Sequence, residues 1–382
     1  MKFIHTADWH LGLSFHNFSL IEDQTYALNQ LIDLARETKP DVLIVAGDIY
    51  DRAMPPTDAV KLLDDVLCRL ILDLKLIVIL IAGNHDNPLR LEFASRLFET
   101  HRLYVFGSLS ERIRAIDIPD QWGIVSFYPL PYHEPSQMST FLGVEHIKNH
   151  EDALRQWIAV VQSNRIPESR TVLINHAFVV GGEESESERS YDVGGSGAIS
   201  ARCFEYFDYS VLGHLHQPQS LGNNNQISYS GSLLKYSFSE ADHTKCIKLV
   251  EMDSKGVAKV EAIPLVPKHD VRIVKGTMED LLQEKIALGK KDDYVQVQLL
   301  DKGAVFDPIG RLREILPNVV NVDHEGLMNR ETESVRVDHR KREMLSLFGD
   351  FYQFVTGEPL TQEQSAAFTA VANRLRESER AE

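Results

Sequence analysis

The sequence contains little cysteine and no long hydrophobic run. Its three cysteines, Cys68, Cys203 and Cys246, are spread over 382 residues, and no two of them form a CxxC pair. This pattern argues against a disulfide framework and a thiolate zinc site, and it favours a reducing cytosol. The longest apolar stretch, residues 70–82, carries two charges and is shorter than the roughly 20 residues of a membrane span. We therefore expect a cytoplasmic protein without a membrane partner.

The sequence also lacks an excess of positive charge. It has 56 acidic residues against 40 Lys and Arg, which gives a formal net charge of −16. A broad basic surface that holds nucleic acid is therefore not expected, and a phosphate substrate would need a local positive site. The length and the 43% hydrophobic content suit two or three globular domains.

Five short apolar runs are each followed by glycine or by polar residues. They are rich in β-branched side chains, which favours buried strands over helices. These runs are the segment before Asp8 and residues 41–46, 76–82, 171–174 and 209–212. Helical patterns at 22–37 and 57–72 separate the early strands and predict βαβ units with a largely parallel sheet. In such a sheet, functional residues gather at the carboxyl ends of the strands.

The residues that follow these strands are chemically distinctive. They are Asp8, His10, Asp48, Asn84, His85, His176, His214 and His216. Taken singly, each has a structural explanation, since aspartates cap turns and a lone histidine is usually hydrogen-bonded. Taken together, imidazoles, carboxylates and one amide follow five strands in a chain with only 15 histidines. The combination favours a metal site.

The types of ligand limit the choice of ion. Oxygen ligands and imidazoles without a thiolate suit Mn²⁺, Fe²⁺ or Zn²⁺ better than Ca²⁺ or a soft metal. Seven candidate ligands exceed the capacity of one tetrahedral ion, so we expect two ions. A carboxylate that bridges them at about 3.5–4 Å would suit a phosphoester displacement.

Five sequence blocks resemble those of the calcineurin-like binuclear metallophosphoesterases. They are DxH at 8–10, GDxxDR at 47–52, GNHD at 83–86, a histidine after a strand at 176, and GHxH at 213–216. The resemblance implies an α/β fold, a metallophosphoesterase β-sandwich flanked by helices. It also implies a hydrolase with two divalent metal ions, of which Mn²⁺ is the expected species.

The same resemblance implies a role for each residue of the blocks. Asp8, His10, Asp48 and His216 would hold the first metal ion, and Asp48, Asn84, His176 and His214 the second. Asp48 would therefore bridge the two ions. His85 would act as a general acid rather than as a ligand, with Asp51 orienting it. Arg52 is a possible phosphate contact.

Two further segments resemble one particular group within this family. "HTADWHLG" near the start and "YSGSLLKYSFSE" at 229–240 are similar to the nuclease subunits of bacterial SbcCD-type complexes. This implies a Mn²⁺-dependent DNA exonuclease and endonuclease that acts on duplex ends and hairpins in repair and recombination. The alternatives are a small-molecule phosphodiesterase or phosphatase, and a non-catalytic scaffold, which is disfavoured because no ligand is missing.

The remainder of the chain predicts a division into four parts. Residues 1–267 form the nuclease domain and 268–325 a small α/β module, which is either a DNA-orienting capping domain or a packing appendage. Residues 326–339 are a charged linker, and 340–382 a helical tail. The acidic, Gly-rich segment 181–197 predicts a flexible loop.

The tail carries an apolar stripe that is rich in aromatic residues. Its members are Met344, Leu347, Phe348, Phe351, Phe354, Phe368, Val371 and Leu375. Such a stripe either docks on its own domain or binds a partner. By resemblance the partner is an SbcC-type ATPase with a long coiled coil. The complex would be a heterotetramer built on a homodimer of this chain, formed near the helix at 57–72.

Overall fold

The structure, a computed structural model, describes residues 1–109, 113–188, 197–222, 225–301, 303–324 and 344–379. The chain divides into two compact units, Met1–Val271 and Arg272–Glu382. Within the described ranges, no helix has both the length and the apolar character needed to cross a bilayer.

The first unit contains two six-stranded sheets. In spatial order, the first sheet comprises Gly256–Pro264, Cys246–Asp253, Lys2–Thr6, Val42–Ala46, Ile77–Ile81 and Leu103–Phe106. The last four of these strands are mutually parallel, and the strand Cys246–Asp253 runs antiparallel to Lys2–Thr6. This parallel half carries the first three sequence blocks.

The second sheet carries the remaining two blocks. In spatial order it comprises Gln219–Leu221, Ile227–Tyr229, Tyr209–Gly213, Arg170–His176, Gly123–Leu130 and Ile116–Asp120. The four central strands are parallel, and the two edge strands are antiparallel to their neighbours.

The two sheets share one hydrophobic core. Phe3 of the first sheet lies with its ring centroid 5.8 Å from that of Phe127 and 6.0 Å from that of Tyr209, both in the second sheet. Aliphatic residues from both sheets, such as Ile44 and Val172, fill the same cluster. Each buried side chain of this size contributes about 1.5–3 kcal/mol, so the core holds the two sheets together as a sandwich.

Helices cover the outer faces of the sandwich. Ile21–Thr38 lies within one residue of its predicted bounds, and Thr57–Cys68 continues as a π-helical segment, Arg69–Asp73. The helix His150–Asn164 buries Trp157 against Tyr128 of the second sheet. Further α-helices in the described part of this unit are Pro88–Leu91, Ser95–Phe98 and Pro135–Leu142, and 3₁₀ helices span Glu99–His101, Ala201–Tyr206 and Phe238–Glu240.

The second unit contains a three-stranded sheet and short helices. The strands are Val271–Gly276, Tyr294–Leu299 and Val319–His324, in that order, and the helices are Met278–Leu282 and Pro308–Arg313. The first helix ends at Leu282, and Glu284 adopts a positive φ of 49° two residues later. Two further helices, Met344–Thr356 and Gln362–Glu379, complete the unit.

Candidate metal centre

The predicted site residues converge at one edge of the sandwich. Asp8, Asp48 and Asn84 follow neighbouring parallel strands of the first sheet. His176 ends a strand of the second sheet, and His214 follows the strand parallel to it. Their side chains are brought within contact distance across the two sheets, as the strand-end argument predicts.

The backbone that carries these residues is strained. Asp8, His10, Asp48 and His214 have φ values of 52°, 45°, 49° and 105°, in the region that side chains other than glycine rarely adopt. Such residues persist only when the surrounding structure holds them, and they are concentrated at functional sites. The strain therefore marks the same edge of the sheets as the sequence blocks.

Two glycines allow the loops to approach each other closely. A Cβ atom on Gly83 would lie 2.1 Å from Asp48 Oδ1, and one on Gly213 would lie 2.0 Å from the carbonyl oxygen of Ala46. Any side chain at either position would push the carboxylate or a strand out of place. The glycines of GNHD and GHxH are thus required by packing.

Asp48 lies at the centre of the cluster. Its Oδ2 atom is 3.6 Å from His10 Nε2, 3.5 Å from His176 Nε2 and 3.9 Å from His85 Nε2. Its Oδ1 atom accepts a hydrogen bond of 2.9 Å from the main-chain N–H of His85, which fixes the carboxylate. Asn84 Oδ1 is 3.0 Å from His176 Nε2. A carboxylate with imidazoles on several sides suits a bridging ligand.

Asp8 anchors the adjoining part of the cluster. Its carboxylate accepts from the main-chain N–H of His214 at 2.9 Å and lies 3.8 Å from His176 Nδ1. Beside it, His10 Nε2 and His216 Nε2 are only 3.1 Å apart. Two buried imidazole nitrogens this close to each other, with the Asp8 carboxylate within 4.8 Å of both, suit a shared cation. The donor set, which lacks a thiolate, therefore fits two divalent ions.

Burial and mutual charge set the protonation of the site. Burial raises the pKa of Asp8 to about 7. Burial also acts to raise the pKa of Asp48, but the nearby histidines, His176 first, bring it well below its usual range. Burial acts to lower the pKa of His176, but the charge and hydrogen bond of Asp48, the charge of Asp8 and the hydrogen bond to Ala46 together raise it to about 9. Burial lowers the pKa of His10 and His214 well below 6.5. His10 and His214 are thus neutral, with lone pairs available to a metal.

Each of three imidazoles is oriented by a partner on its Nδ1 atom. For His176 the partner is the main-chain oxygen of Ala46 at 2.9 Å. For His216 the partners are side chains, Ser187 Oγ at 2.6 Å and Glu240 Oε1 at 3.4 Å. The charge and hydrogen bond of Glu240 also raise the pKa of His216 against the opposing effect of burial.

The third imidazole, His85, contacts the main chain of Asp51. His85 Nδ1 lies 2.8 Å from the main-chain oxygen of Asp51, and a carboxylate oxygen of the same residue lies within 4.8 Å of a ring nitrogen of His85. The turn that follows Asp48 places this carbonyl beside the imidazole. The carboxylate lies 3.5 Å from Arg52, whose side chain is more than half exposed. A phosphate contact by Arg52 stays a prediction.

Several residues that hold the site were not identified from the sequence. Asp86 is buried and accepts hydrogen bonds from the main-chain N–H groups of Ile49, Tyr50 and Gly83 at 3.1, 2.9 and 2.9 Å. It therefore ties the GDxxDR loop to the GNHD loop. Gln24 similarly donates to the main-chain oxygen of His10 at 2.8 Å. The block GNHD contains Asp86, whereas the pattern around Gln24 does not distinguish it from other helical residues.

The predicted partner-binding residues occupy the two C-terminal helices. Phe348 and Phe368 stack on each other with centroids 4.0 Å apart, while Phe351 and Val371 are 60% and 57% exposed. The side chains of Met344, Leu347, Phe354 and Leu375 lie outside the described residues, as does the predicted linker 326–339. Thr361 and Gln364 form a capping box at the start of the second helix, because each side chain accepts from the main-chain N–H of the other.

Comparison with protein families defines the class of protein. The model for calcineurin-like phosphoesterases matches residues 1–218, more than half of the chain. A model described as "Type 5 capsule protein repressor C-terminal domain" matches residues 267–356. A solved dimetal phosphatase from Danio rerio is 12% identical with a TM-score of 0.42, over 70% of this chain and 99% of its own. The family match and the site define a calcineurin-like phosphoesterase.

Two curated relatives identify the family of this chain within the calcineurin-like phosphoesterases. The D subunit of the nuclease SbcCD from Staphylococcus saprophyticus is 35% identical over 99% of both chains. Its counterpart of the same name from Staphylococcus epidermidis is 33% identical over 96% of both chains. The chain belongs to the family of these SbcCD nuclease subunits. This confirms the predicted fold class and the predicted class of enzyme, a phosphodiester hydrolase with a binuclear divalent-metal site.

Proposed function

We propose that this protein is a Mn²⁺-dependent DNA nuclease. It degrades duplex ends as an exonuclease, cleaves hairpins and single strands as an endonuclease, and is the catalytic subunit of an ATPase–nuclease complex for DNA repair and recombination. The observation that carries this proposal is the buried cluster around Asp48, beside which the main-chain oxygen of Asp51 fixes the His85 ring. The names of the relatives support a nuclease.

The roles proposed for the seven ligands follow their distances. Asp8, His10 and His216 form one group of donor atoms within 4.8 Å of each other. Asp8, Asp48 and His176 form a second such group, and Asn84 adjoins His176. We assign Asp48 as the bridge, because its Oδ2 atom lies 3.6 Å from His10 Nε2 and 3.5 Å from His176 Nε2, and we assign His214 to the second ion. When bound, two such ions activate a water molecule as nucleophile and neutralise charge on the phosphate.

His85 acts as the proposed general acid. Its Nδ1–H donates to the main-chain oxygen of Asp51, so Nε2 faces the cluster, and protonated Nε2 donates toward the leaving oxygen. The ring also packs edge-on against His10, with centroids 4.6 Å apart, which restricts its rotation. Correct orientation therefore comes from the fold before substrate binds.

The first experiment compares two substrates in the presence of Mn²⁺. Cleavage of a DNA hairpin end is measured beside hydrolysis of a bis-phosphodiester dye, with Asp48→Ala as the inactive control. Loss of both activities in the control, and on addition of EDTA, supports the nuclease. Hydrolysis of the dye and of cyclic nucleotides, with no DNA cleavage even after the ATPase partner is added, would favour a small-molecule phosphodiesterase.

We further propose that the tail, residues 340–382, binds an SbcC-type ATPase with a long coiled coil. The exposed side chains of Phe351 and Val371 leave apolar surface on both helices, and such surface on a terminal segment suits a partner helix. Deletion of residues 340–382 should abolish association with the ATPase and leave dye hydrolysis intact. Association that survives the deletion would place the interface elsewhere.

Within this complex, residues 268–325 serve as the proposed capping domain.

An apolar groove in the first unit supports the proposed homodimer within a heterotetramer. The groove, of about 610 Å³, lies along the helix Thr57–Cys68 and is lined by Leu63, Leu67 and Phe93, among others. Phe93 is 79% exposed. Phe93→Asp should convert the dimer to a monomer in sedimentation experiments, whereas a dimer that persists would contradict this interface.

A further inference from the structure

His216 is held on the side that faces away from the cluster by groups outside the five sequence blocks. Ser187 hydrogen-bonds both to His216 Nδ1 and to Glu240 Oε1, and its hydroxyl has only one hydrogen. Because this hydrogen is donated to the carboxylate, Ser187 Oγ accepts from Nδ1–H. The His216 tautomer therefore carries its proton on Nδ1 and presents a lone pair on Nε2, which faces His10 Nε2 at 3.1 Å.

The charge of Glu240 is balanced inside the protein. Glu240 is fully buried, and its Oε2 atom accepts a hydrogen bond of 2.5 Å from Lys245 Nζ. The same ammonium group donates to the main-chain oxygen of His216 at 2.7 Å. An unpaired buried carboxylate would be costly, so Lys245 allows Glu240 to stay ionised beside the imidazole. The pair thus holds both the ring and the backbone of His216.

The acidic segment that follows His176 contributes to the same arrangement. Glu188 Oε1 accepts a hydrogen bond of 2.6 Å from the main-chain N–H of His216. Ser187 and Glu188 belong to segment 181–197, which the sequence predicts as a flexible loop, yet here they fold back onto a metal-ligand candidate. His216 is therefore held at its ring, its N–H and its carbonyl by three different side chains besides Ser187.

We propose that Glu240, balanced by Lys245, is a positioning residue that keeps the proton of His216 on Nδ1 and directs its Nε2 lone pair toward the metal. Carboxylates that accept from a metal-binding histidine orient the ring and strengthen it as a ligand, and their loss typically lowers metal affinity about 10–100-fold. Without the carboxylate, the Ser187 hydroxyl is free to donate to Nδ1 and stabilise the opposite tautomer. This inference rests on the ligand role proposed above for His216.

A purely structural role for the pair makes a different prediction. If Glu240 and Lys245 only neutralise each other, replacing both with apolar residues should leave metal binding unchanged. The decisive variant is therefore the double substitution Glu240→Leu with Lys245→Met, which leaves no unpaired buried charge. Glu240→Gln tests the charge alone, and Glu261→Gln, on an exposed strand position, is the matched control.

The experiment uses the full chain and Mn²⁺ alone. Calorimetric titration gives the affinity, and nitrogen NMR of histidine-labelled, metal-free protein gives the tautomer of His216. Both Glu240 variants should bind Mn²⁺ about 10–100-fold more weakly at one site and shift His216 toward the Nε2–H form. Glu261→Gln should change neither readout.

The result that overturns the inference is a folded double variant with wild-type Mn²⁺ affinity and the Nδ1–H tautomer. His216→Ala separates this failure from failure of the metal-site assignment. If His216→Ala weakens Mn²⁺ binding and the Glu240 variants do not, only the positioning role is wrong. If His216→Ala leaves binding unchanged, the ligand assignment itself is wrong, and the inference fails with it.

Discussion

His176 and His216 are ligand candidates of the same cluster, but the structure holds them by different means. His176 ends a strand, and its Nδ1 atom is fixed by the carbonyl oxygen of Ala46 in the facing sheet. His216 follows a strand by three residues and is fixed by Ser187 and Glu240 side chains. Main-chain support is built into the sandwich, whereas side-chain support depends on the identity of particular residues outside the five blocks.

This difference explains where substitutions can act. No side-chain replacement removes the carbonyl oxygen that orients His176, or the Asp51 carbonyl that orients His85. The geometry of these two rings can be changed only by replacing the rings or by moving the backbone. His216, in contrast, is sensitive to single side chains that lie outside the five blocks.

The largest effect is expected from removal of a ring that the main chain orients. His85→Asn should lower DNA cleavage by about 10²–10⁴-fold, because the group that protonates the leaving oxygen is lost. Mn²⁺ binding should persist, since His85 is not a proposed ligand. Single-turnover cleavage and calorimetry measure the two properties. His146→Asn, at an exposed position before the helix His150–Asn164, is the control. Full cleavage by His85→Asn would remove it from the mechanism.

We next compare the residues of the site that could be predicted from the sequence with the contacts that support them. The strand ends and the five blocks predicted which side chains meet, because parallel strands bring their carboxyl ends to one edge. They did not reveal that the Asp51 backbone would orient His85, since a main-chain contact depends on the path of the turn and leaves no residue preference. Nor did they reveal Glu240 or Gln24, whose contacts to His216 and His10 join residues distant in sequence.

A second prediction concerns Gly83, where an added side chain would displace the backbone or the carboxylate of Asp48. Gly83→Ala places a Cβ atom 2.1 Å from Asp48 Oδ1 and 2.3 Å from the Asp48 nitrogen, so the carboxylate or the loop must shift. Overpacking of this severity should lower the free energy of unfolding by about 3 kcal/mol. It should also weaken Mn²⁺ binding. Chemical denaturation and calorimetry test both effects. Gly303→Ala, where a Cβ meets no atom within 4 Å, should change neither.

A third prediction concerns the tie between the loops that carry Asp48 and Asn84. Asp86→Asn replaces one acceptor oxygen with an amide that cannot accept from the main-chain N–H groups of Ile49, Tyr50 or Gly83. A buried donor left unsatisfied should cost about 2 kcal/mol of unfolding free energy. Thermal denaturation measures the loss, and Asp58→Asn, at an exposed helix position, provides the baseline. An unchanged melting temperature would mean that the loops are held independently of Asp86.

The smallest effect is expected from Ser187→Ala, which tests whether Ser187 or Glu240 provides the main support of His216. Ser187→Ala removes the acceptor nearest to Nδ1 but leaves Glu240 Oε1 at 3.4 Å, close enough to take over the same proton. Only one neutral hydrogen bond is lost, so Mn²⁺ affinity should fall by no more than about fivefold, corresponding to roughly 1 kcal/mol. A loss as large as that of Glu240→Gln, measured by the same titration, would mean that the Ser187 hydroxyl, rather than the carboxylate behind it, sets the tautomer. Side-chain support of His216 would then originate in the acidic segment after His176.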